Sequence, residues 1–179
     1  MNKKDWKVLE QIEDYRNDRN IYIYKQKLRL PNNNIIDNFY QIKINDFVTM
    51  LIQDMNGKFL CFNQYKHGIG HVALTLPGGF IDVGETSLQA AKREIMEETG
   101  YLCPNLNFLG KFVLSGNQKV CNSHIVSGTK AKKVCDPTEP DQENPELILL
   151  STKELKQALH DKMFPIISHI AAIGMILSK

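Results

Sequence analysis

The sequence lacks the features that mark several large classes of protein. It contains no run of about 20 apolar residues, the length that a membrane-spanning helix requires. Its most apolar stretch, residues 164–177, is shorter and is interrupted by Ser168 and His169. A formal net charge of +2 over 179 residues gives no strong electrostatic footprint for nucleic acid or a membrane surface. We therefore expect a small-molecule substrate and no nucleic-acid or membrane partner.

Cysteine is scarce and scattered. The four cysteines show no close pairing of the kind that binds zinc, so we expect reduced thiols and a cytoplasmic protein. Lys3 and Lys4 are followed by Asp5 and not by an apolar segment, so a secretion signal is not expected. The chain also contains no glycine-rich P-loop and no Ser-His-Asp order. The length of 179 residues suits one domain, or one domain with a small extension.

A regularly spaced group of acids is the most informative feature that is present. Glu94, Glu97 and Glu98 are separated by three and four positions, so an α-helix would project their carboxylates from one face. Hard divalent cations, above all Mg2+, bind such oxygens together with substrate phosphates and water. The spacing therefore predicts a metal-assisted phosphate site. The alternative is a solvated acidic face of a surface helix.

Boundary signals flank these acids. Thr86 and Gln89 predict a capping box at the start of the helix, and Gly100 predicts its end. Before the helix, Pro77-Gly78-Gly79 predicts a turn whose backbone can approach a ligand closely. A loop, a capped helix and a glycine stop thus surround the carboxylates, which favours the metal site.

Apolar alternation predicts β-structure on both sides of this helix. Residues 20–30 and 35–44 predict an N-terminal β-hairpin. Asn56-Gly57 predicts a second hairpin with a type I′ turn, because that turn needs positive φ at both central residues. The remaining expected elements are strands at 106–114, 121–128 and 146–150, a helix from Ser151 to about residue 160, and a helix from near Pro165. This order predicts an α+β sandwich of helices on a mixed sheet.

The complete acidic pattern resembles the Nudix box. A glycine is followed after five residues by a glutamate, after seven more by Arg-Glu, and then by an apolar residue, Glu-Glu, glycine and a bulky apolar residue. The matching positions are Gly79, Glu85, Arg93, Glu94, Ile95, Glu97, Glu98, Gly100 and Tyr101. The resemblance implies a Nudix hydrolase with the α+β Nudix fold, a mixed β-sheet sandwiched between helices with an N-terminal β-hairpin extension. It also implies Mg2+ as the cofactor, with Mn2+ as an alternative.

Residues before the box resemble the ADP-ribose and ADP-sugar pyrophosphatase branch of this family. The resemblance lies in 64–66 and 76–79, with Lys66 where the branch usually has arginine and Thr75 where it often has glutamate. It implies hydrolysis of a nucleoside diphosphate sugar, such as ADP-ribose, to a nucleoside monophosphate and a sugar phosphate. A nucleoside triphosphate or dinucleotide polyphosphate is the alternative substrate, and a non-catalytic ligand sensor is the alternative function.

The family also implies roles for individual residues. The implied metal ligands are Gly78, Glu94, Glu97 and Glu98. The implied catalytic residues are Glu85, Arg93, Glu97, Glu98 and Glu143. In this assignment Glu97 binds a second ion or a water, and the Gly78 ligand is its carbonyl. Arg93 points elsewhere on the helix and orients Glu85 through a charge-assisted hydrogen bond.

The acidic, proline-containing stretch at 136–146 predicts a surface loop. The sugar-pyrophosphatase branch often takes a catalytic glutamate from a loop in this region. Glu143 is then the first candidate and Glu139 the second. Solvation alone is the alternative explanation of the charge.

Two further expectations concern the assembly of subunits and the contacts with the adenine base of the substrate. The branch implies an N-terminal β extension at 1–45 that pairs with a second subunit, a Nudix hydrolase domain at 46–179, and hence a homodimer. Tyr65, Phe80 and Tyr101 are candidates to stack on adenine, with core packing as the alternative for each.

Overall fold

A computed structural model describes residues 4–17, 21–138 and 145–178. Within them, ten strands and three helices follow one another along the chain. The strands are β1 (Lys7–Arg16), β2 (Tyr22–Arg29), β3 (Ile35–Lys43), β4 (Phe47–Asp54), β5 (Phe59–Lys66), β6 (His71–Thr75), β7 (Tyr101–Leu102), β8 (Asn105–Leu114), β9 (Cys121–Lys133) and β10 (Glu146–Leu150). The helices are α1 (Ser87–Thr99), α2 (Thr152–His160) and α3 (Ile167–Leu177). These elements belong to two compact units, Met1–Asp46 with Val113–Asn122, and Phe47–Phe112 with Ser123–Lys179.

The first unit contains a three-stranded antiparallel sheet in the order β1-β2-β3. The predicted hairpin is present as β2 and β3, and β1 is an additional strand that the sequence did not reveal. Charged residues interrupt the apolar positions of β1, and every residue of this strand is exposed. Among the described residues of these three strands, only Gln26 and Leu28 are buried.

The second unit is built on a seven-stranded mixed sheet. Its order is β10-β5-β4-β9-β7, with β6 paired to β5 and β8 paired to β9. The central pair, β4 and β9, is parallel. One cluster of buried side chains joins β4 to α1 through Met50 and Ile95, and another joins β4 to α2 and α3 through Leu51 and Leu155. Helices thus cover both faces of a mixed sheet, as the sequence predicts.

The hairpin of β4 and β5 differs from its expected turn type. Gly57 has a φ of 77°, whereas Asn56 is absent from the described residues with positive φ, so the turn is not type I′. Asp54 explains the difference, since its Oδ1 accepts hydrogen bonds from the amides of Asn56 and Lys58, both at 2.8 Å. These bonds favour a longer turn in which only the glycine needs a left-handed conformation.

The C-terminal part of the described chain follows the sequence closely. Ser151 caps α2, with its side chain accepting from Glu154 and the Glu154 side chain accepting in return. Helix α3 begins at Ile167, two residues later than expected, and its N-cap Ile166 makes no side-chain capping bond. None of the helices in the described ranges has the length and apolar character needed to cross a membrane.

Candidate active site

Helix α1 carries the acidic residues between the boundaries that the sequence predicts. The Thr86 hydroxyl accepts from the Gln89 amide, and the Gln89 side chain accepts from the Thr86 amide. Gly100 ends the helix with a left-handed φ of 70°. Three residues of the helix are buried in the cluster that joins β4 to α1, which we call the first cluster: Ala90, Ala91 and Ile95. This buried face determines how the helix is rotated, and the acids therefore lie on the remaining surface.

Before the helix lies the segment Leu76–Gly79, which we call the lead-in loop. Strand β4 binds its backbone at two points: the Met50 amide donates to the Pro77 carbonyl and the Val48 amide donates to the Gly79 carbonyl, both at 2.9 Å. The sequence indicates a turn here, and these bonds attach that turn to the central strand of the sheet.

The two glycines of the lead-in loop allow close approach of other groups. A Cβ atom on Gly78 would lie 2.3 Å from the Val48 carbonyl oxygen, and one on Gly79 would lie 2.1 Å from a Glu94 carboxylate oxygen. The Gly78 amide also donates to Oε2 of Glu98 at 3.1 Å. Glycine is therefore required at Gly78 because the Val48 carbonyl lies where a side chain would begin, and at Gly79 because the Glu94 carboxylate does.

Arg93 lies at the centre of a network of carboxylates. Its Nε and Nη2 donate to the two oxygens of Glu85, each at 3.0 Å, and Nη2 also donates to the Phe80 carbonyl at 3.0 Å. Nη1 donates to Glu94 at 2.7 Å and to Glu97 at 3.0 Å. The contact with Glu85 is the one that the family implies. The expectation that Arg93 points elsewhere on the helix is wrong, because one guanidinium reaches all three carboxylates.

The network changes the acidity of its members. The hydrogen bonds from Arg93 hold the pKa of Glu85 below its ordinary value. Burial raises the pKa of Glu94, and the contact with Arg93 opposes that effect only in part. The pKa of Arg93 is raised, first by its hydrogen bonds with Glu85. The positive charge therefore compensates the mutual repulsion of the acids that the sequence presents side by side.

The implied metal ligands lie in one region but are bound to other groups. Glu94 contacts Arg93 and lies against Gly79, and Glu98 accepts from Gly78. In the part of the chain that the structure describes, no three His, Cys, Asp or Glu side chains are grouped as a metal site. The donors are nevertheless hard carboxylate oxygens, which suit Mg2+ or Mn2+. A cation bound here would compete with Arg93 and with the Gly78 amide for the same oxygens.

The two loop candidates, Glu143 and Glu139, lie outside the described residues. The start of the loop is attached to α1, since the Thr138 amide donates to the Glu97 carbonyl at 3.0 Å. After the loop, Glu146 pairs with Asn63 of β5. The N-terminal end of the loop is therefore hydrogen-bonded to the helix that carries the acidic residues.

The aromatic candidates divide into two groups. Tyr101 is 8% exposed and belongs to the first buried cluster, so it packs in the core and is not placed to stack on a base. Phe80 and Tyr65 are 54% and 41% exposed. Phe80 follows the lead-in loop directly, so its ring remains a candidate for contact with a substrate base.

Two histidine contacts near the site have no signal in the sequence. Nδ1 of His124 lies 2.6 Å from the Ser87 hydroxyl, at the start of α1. Nδ1 of His169 accepts a hydrogen bond from the Leu76 amide. These pairs are 37 and 93 residues apart in the chain, so no local pattern connects them.

Comparison with known proteins gives a consistent family and fold. The family model of the NUDIX domain matches residues 45–169. "Putative nudix hydrolase 2" of Caenorhabditis elegans is 35% identical over 98 residues, which are 54% of this chain and 41% of the relative. "Oxidized purine nucleoside triphosphate hydrolase" of Danio rerio is 30% identical over 101 residues, 55% of this chain and 63% of the relative. The chain thus spans between 41% and 63% of the length of these relatives.

A solved structure shares the fold over nearly the whole chain. It is described as "Crystal structure of ADP compounds hydrolase" and superimposes with a TM-score of 0.85, covering 98% of this chain and 94% of its own. The two sequences are 18% identical, so the likeness is one of fold. It confirms the predicted α+β class with a mixed sheet and helices.

Proposed function

Since this chain belongs to the NUDIX domain family, we propose that it hydrolyses the pyrophosphate bond of a nucleoside diphosphate sugar such as ADP-ribose, with Mg2+ as cofactor and Mn2+ as the alternative. The predicted membership in the Nudix hydrolase family is confirmed by the match over residues 45–169. One observation carries the proposal: α1 places Glu94 and Glu98 against the two glycines of the lead-in loop. One or two carboxylates, together with the phosphates of the substrate, are the ligands by which proteins usually bind Mg2+.

The choice of a diphosphate sugar is supported by two likenesses. Residues 64–66 and the lead-in loop resemble the sugar-pyrophosphatase branch. The structural neighbour is described as an ADP compounds hydrolase. With ADP-ribose the products would be AMP and ribose 5-phosphate. The exposed ring of Phe80, beside the lead-in loop, is available to stack on the base.

The proposed chemistry assigns a task to each acidic residue. Glu94, Glu98 and the Gly78 carbonyl would bind the cation, and Glu97 would bind a second ion or a water. Mg2+ held by these residues would supply positive charge that offsets the two phosphates and would make a water more acidic. Arg93 binds Glu85 and the Phe80 carbonyl, so it fixes the segment between the lead-in loop and α1.

A glutamate of the loop before β10 would position the attacking water. Glu143 is our first candidate and Glu139 our second. The supporting observation is the hydrogen bond from Thr138 to the Glu97 carbonyl, which starts the loop on the acidic helix. A general base in this place would remove a proton from the water as the water oxygen bonds to one phosphorus, while the bond from that phosphorus to the bridging oxygen breaks and the other phosphate leaves.

A product screen tests the proposed reaction. The purified protein is incubated with Mg2+ and ADP-ribose, other nucleotide sugars, nucleoside triphosphates or dinucleotide polyphosphates, and the products are separated by chromatography. We expect the highest kcat/KM for a nucleotide sugar, loss of turnover in excess chelator, and recovery when Mg2+ or Mn2+ is added. Undiminished turnover in excess chelator would exclude the metal-dependent reaction.

The second candidate function is hydrolysis of a nucleoside triphosphate. It is supported by the Danio rerio relative, whose name describes an oxidized purine nucleoside triphosphate hydrolase. Release of a monophosphate and inorganic pyrophosphate at a higher kcat/KM than for any nucleotide sugar would favour it. A ligand sensor, the third alternative, would bind a nucleotide and release no product.

We also propose that residues 1–45 form a dimerisation extension and that residues 46–179 form the Nudix domain. The support lies in β1 and the residue before it, where Trp6, Val8, Ile12 and Tyr15 are each more than half exposed. Exposed apolar side chains grouped on one strand are typical of a surface that binds another chain. Light scattering at micromolar concentration should give twice the mass of one chain, and a monomer mass would contradict the dimer.

The proposed location is the cytoplasm. All four cysteines are free, and burial raises the pKa of the Cys61 thiol to about 12. Free thiols are typical of a reducing compartment. Fractionation of cells that express the protein tests this assignment.

A further inference from the structure

The position of the lead-in loop is determined by three different elements of the second unit. Strand β4 donates to two of its carbonyls through Val48 and Met50, both at 2.9 Å. Helix α1 accepts from the Gly78 amide through Glu98 at 3.1 Å. The two carbonyls bound by β4 belong to Pro77 and Gly79, the residues on either side of Gly78. The beginning of the loop, at Leu76, is bound by a third element.

That third element is helix α3, through His169. Its Nδ1 accepts a hydrogen bond from the Leu76 amide at 3.2 Å, and the side chain is buried. Two residues earlier, the Leu74 amide donates to the Met163 carbonyl at 3.1 Å. One edge of β6 pairs with β5. Along the other edge, and just beyond the end of the strand, the acceptors for the Leu74 and Leu76 amides come from α3 and from the segment that precedes α3. The imidazole supplies the acceptor that a neighbouring strand would supply in a longer sheet.

The protonation state of His169 suits this contact. Nδ1 accepts a hydrogen bond only when it carries no proton, which requires a neutral imidazole with its proton on Nε2. Burial lowers the pKa of His169 to about 3, and the charge of Lys66 acts in the same direction. The acceptor is therefore present throughout the neutral pH range, and the bond to Leu76 does not depend on pH there.

We infer that His169 is a positioning residue for the site: by binding the Leu76 amide it sets, together with the bonds from β4 and α1, where the Gly78 carbonyl lies relative to Glu94 and Glu98. The inference rests on the proposed function, in which that carbonyl binds the cation. The loop passes close to β4 at this point, since a Cβ on Gly78 would lie 2.3 Å from the Val48 oxygen. Residues that orient the direct ligands of a metal commonly change its affinity by about 10- to 100-fold when they are replaced.

Three variants separate the acceptor from mere packing. His169→Leu fills the space and removes the acceptor, whereas His169→Asn keeps an acceptor close to the position of Nδ1. Ser168→Ala is the matched control on the same helix, because the Ser168 hydroxyl is buried and makes no hydrogen bond. Two quantities are measured in each: hydrogen exchange of the Leu76 amide in the metal-free protein, and Mn2+ affinity by paramagnetic resonance of the free ion.

The expected pattern is specific to a positioning role. His169→Leu should speed exchange at Leu76 and weaken Mn2+ binding about 10-fold, and it should lower kcat more than it changes KM for the nucleotide. His169→Asn should remain within about 3-fold of the wild type in Mn2+ affinity, and Ser168→Ala should match the wild type. Thermal melting shows in parallel that the proteins are folded at the temperature of measurement.

Several results would overturn the inference. Wild-type Mn2+ affinity in folded His169→Leu would do so, and so would equal impairment of the Asn and Leu variants, since volume and not the acceptor would then matter. If the Leu variant does not fold, Asn is compared with His169→Gln, whose amide extends toward the position of Nε2, and equal behaviour of the two refutes the role of Nδ1. A wild-type protein that neither binds Mn2+ nor hydrolyses a nucleotide contradicts the proposed function, while exchange at Leu76 still shows whether His169 makes the bond.

Discussion

The two compact units differ in how many of their side chains they bury. Six of the eight residues of β4, in the second unit, are buried, whereas all ten residues of β1, in the first unit, are exposed. A strand that is buried on both faces keeps its backbone and its neighbours in a narrow range of positions. An exposed strand leaves apolar surface that can bind another chain. The second unit therefore provides the packed framework of the site, and the first unit has the exposed apolar surface on which the proposed association depends.

Polar groups show the same difference. In the second unit, one guanidinium binds three carboxylates beside the lead-in loop. In the first unit, the buried polar residue of the strands is Gln26, whose Nε2 donates to Gln11 at 2.6 Å and to Gln41 at 3.1 Å. The first arrangement gathers charge that suits a metal and phosphates, and the second joins three strands through neutral amides.

The largest expected effect on kcat comes from comparing the same substitution, glutamate to glutamine, at one residue of each unit. Glu98→Gln keeps the shape of the side chain and removes the charge that would bind the cation. It should lower kcat by about 10³-fold, which corresponds to about 4 kcal/mol of transition-state stabilisation. Glu13→Gln, on the exposed strand β1, should leave kcat unchanged. Steady-state kinetics with the best substrate of the screen gives both values, and near-normal turnover by Glu98→Gln would remove this residue from the metal ligands.

The next effect tests whether the second unit also supplies the general base. Glu143→Gln should lower kcat by about 10²-fold and leave KM nearly unchanged, since the residue would act on the water and not on binding. Glu139→Gln is the control, because it removes the same charge from the same loop. If Glu139→Gln loses activity and Glu143→Gln does not, Glu139 would be the general base. If both variants are normal, Glu97 becomes the candidate.

A pair of truncations tests the difference in packing. Leu60→Ala, in the second unit, removes a fully buried side chain and should lower the free energy of unfolding by about 2 to 5 kcal/mol. Ile12→Ala, in the first unit, truncates a side chain that is 54% exposed in one chain, so it should cost less than about 0.5 kcal/mol in a monomer and more in the proposed dimer, where a second subunit would cover it. Urea unfolding at a fixed protein concentration measures both. Equal costs would show that β1 is covered in solution, and a loss that grows on dilution would assign the cover to a second subunit.

The smallest effect compares one buried polar residue from each unit. Gln26→Met removes an amide that donates two hydrogen bonds and should cost about 1 to 2 kcal/mol. Ser168→Ala removes a buried hydroxyl without a hydrogen bond, so stability should stay within about 0.5 kcal/mol or rise slightly. Thermal unfolding of both variants distinguishes them. A clear loss of stability in Ser168→Ala would mean that its hydroxyl has a partner in solution, such as a bound water.

Elements with local signals could be predicted from the sequence. Thr86 and Gly100 mark both ends of α1, and Ser151 marks the start of α2, because capping bonds join residues three or four positions apart. Strand β1 could not be predicted, since its residues are exposed and follow no buried alternation. The residues Asn56-Gly57 predict a type I′ turn, but the hydrogen bonds of Asp54 favour a different turn.

The sequence by itself determined which residues could form a site: three acids on one helical face, a glycine pair before the helix, and an order that resembles the Nudix box. Only the tertiary structure decided how they meet. Arg93 binds the Phe80 carbonyl, 13 residues earlier in the chain, because packing of the buried face sets the rotation of α1. His169 binds Leu76, which lies 93 residues earlier in the chain, because α3 packs against the sheet. Local spacing specifies what a short segment can become, whereas contacts between distant segments depend on how the whole core packs.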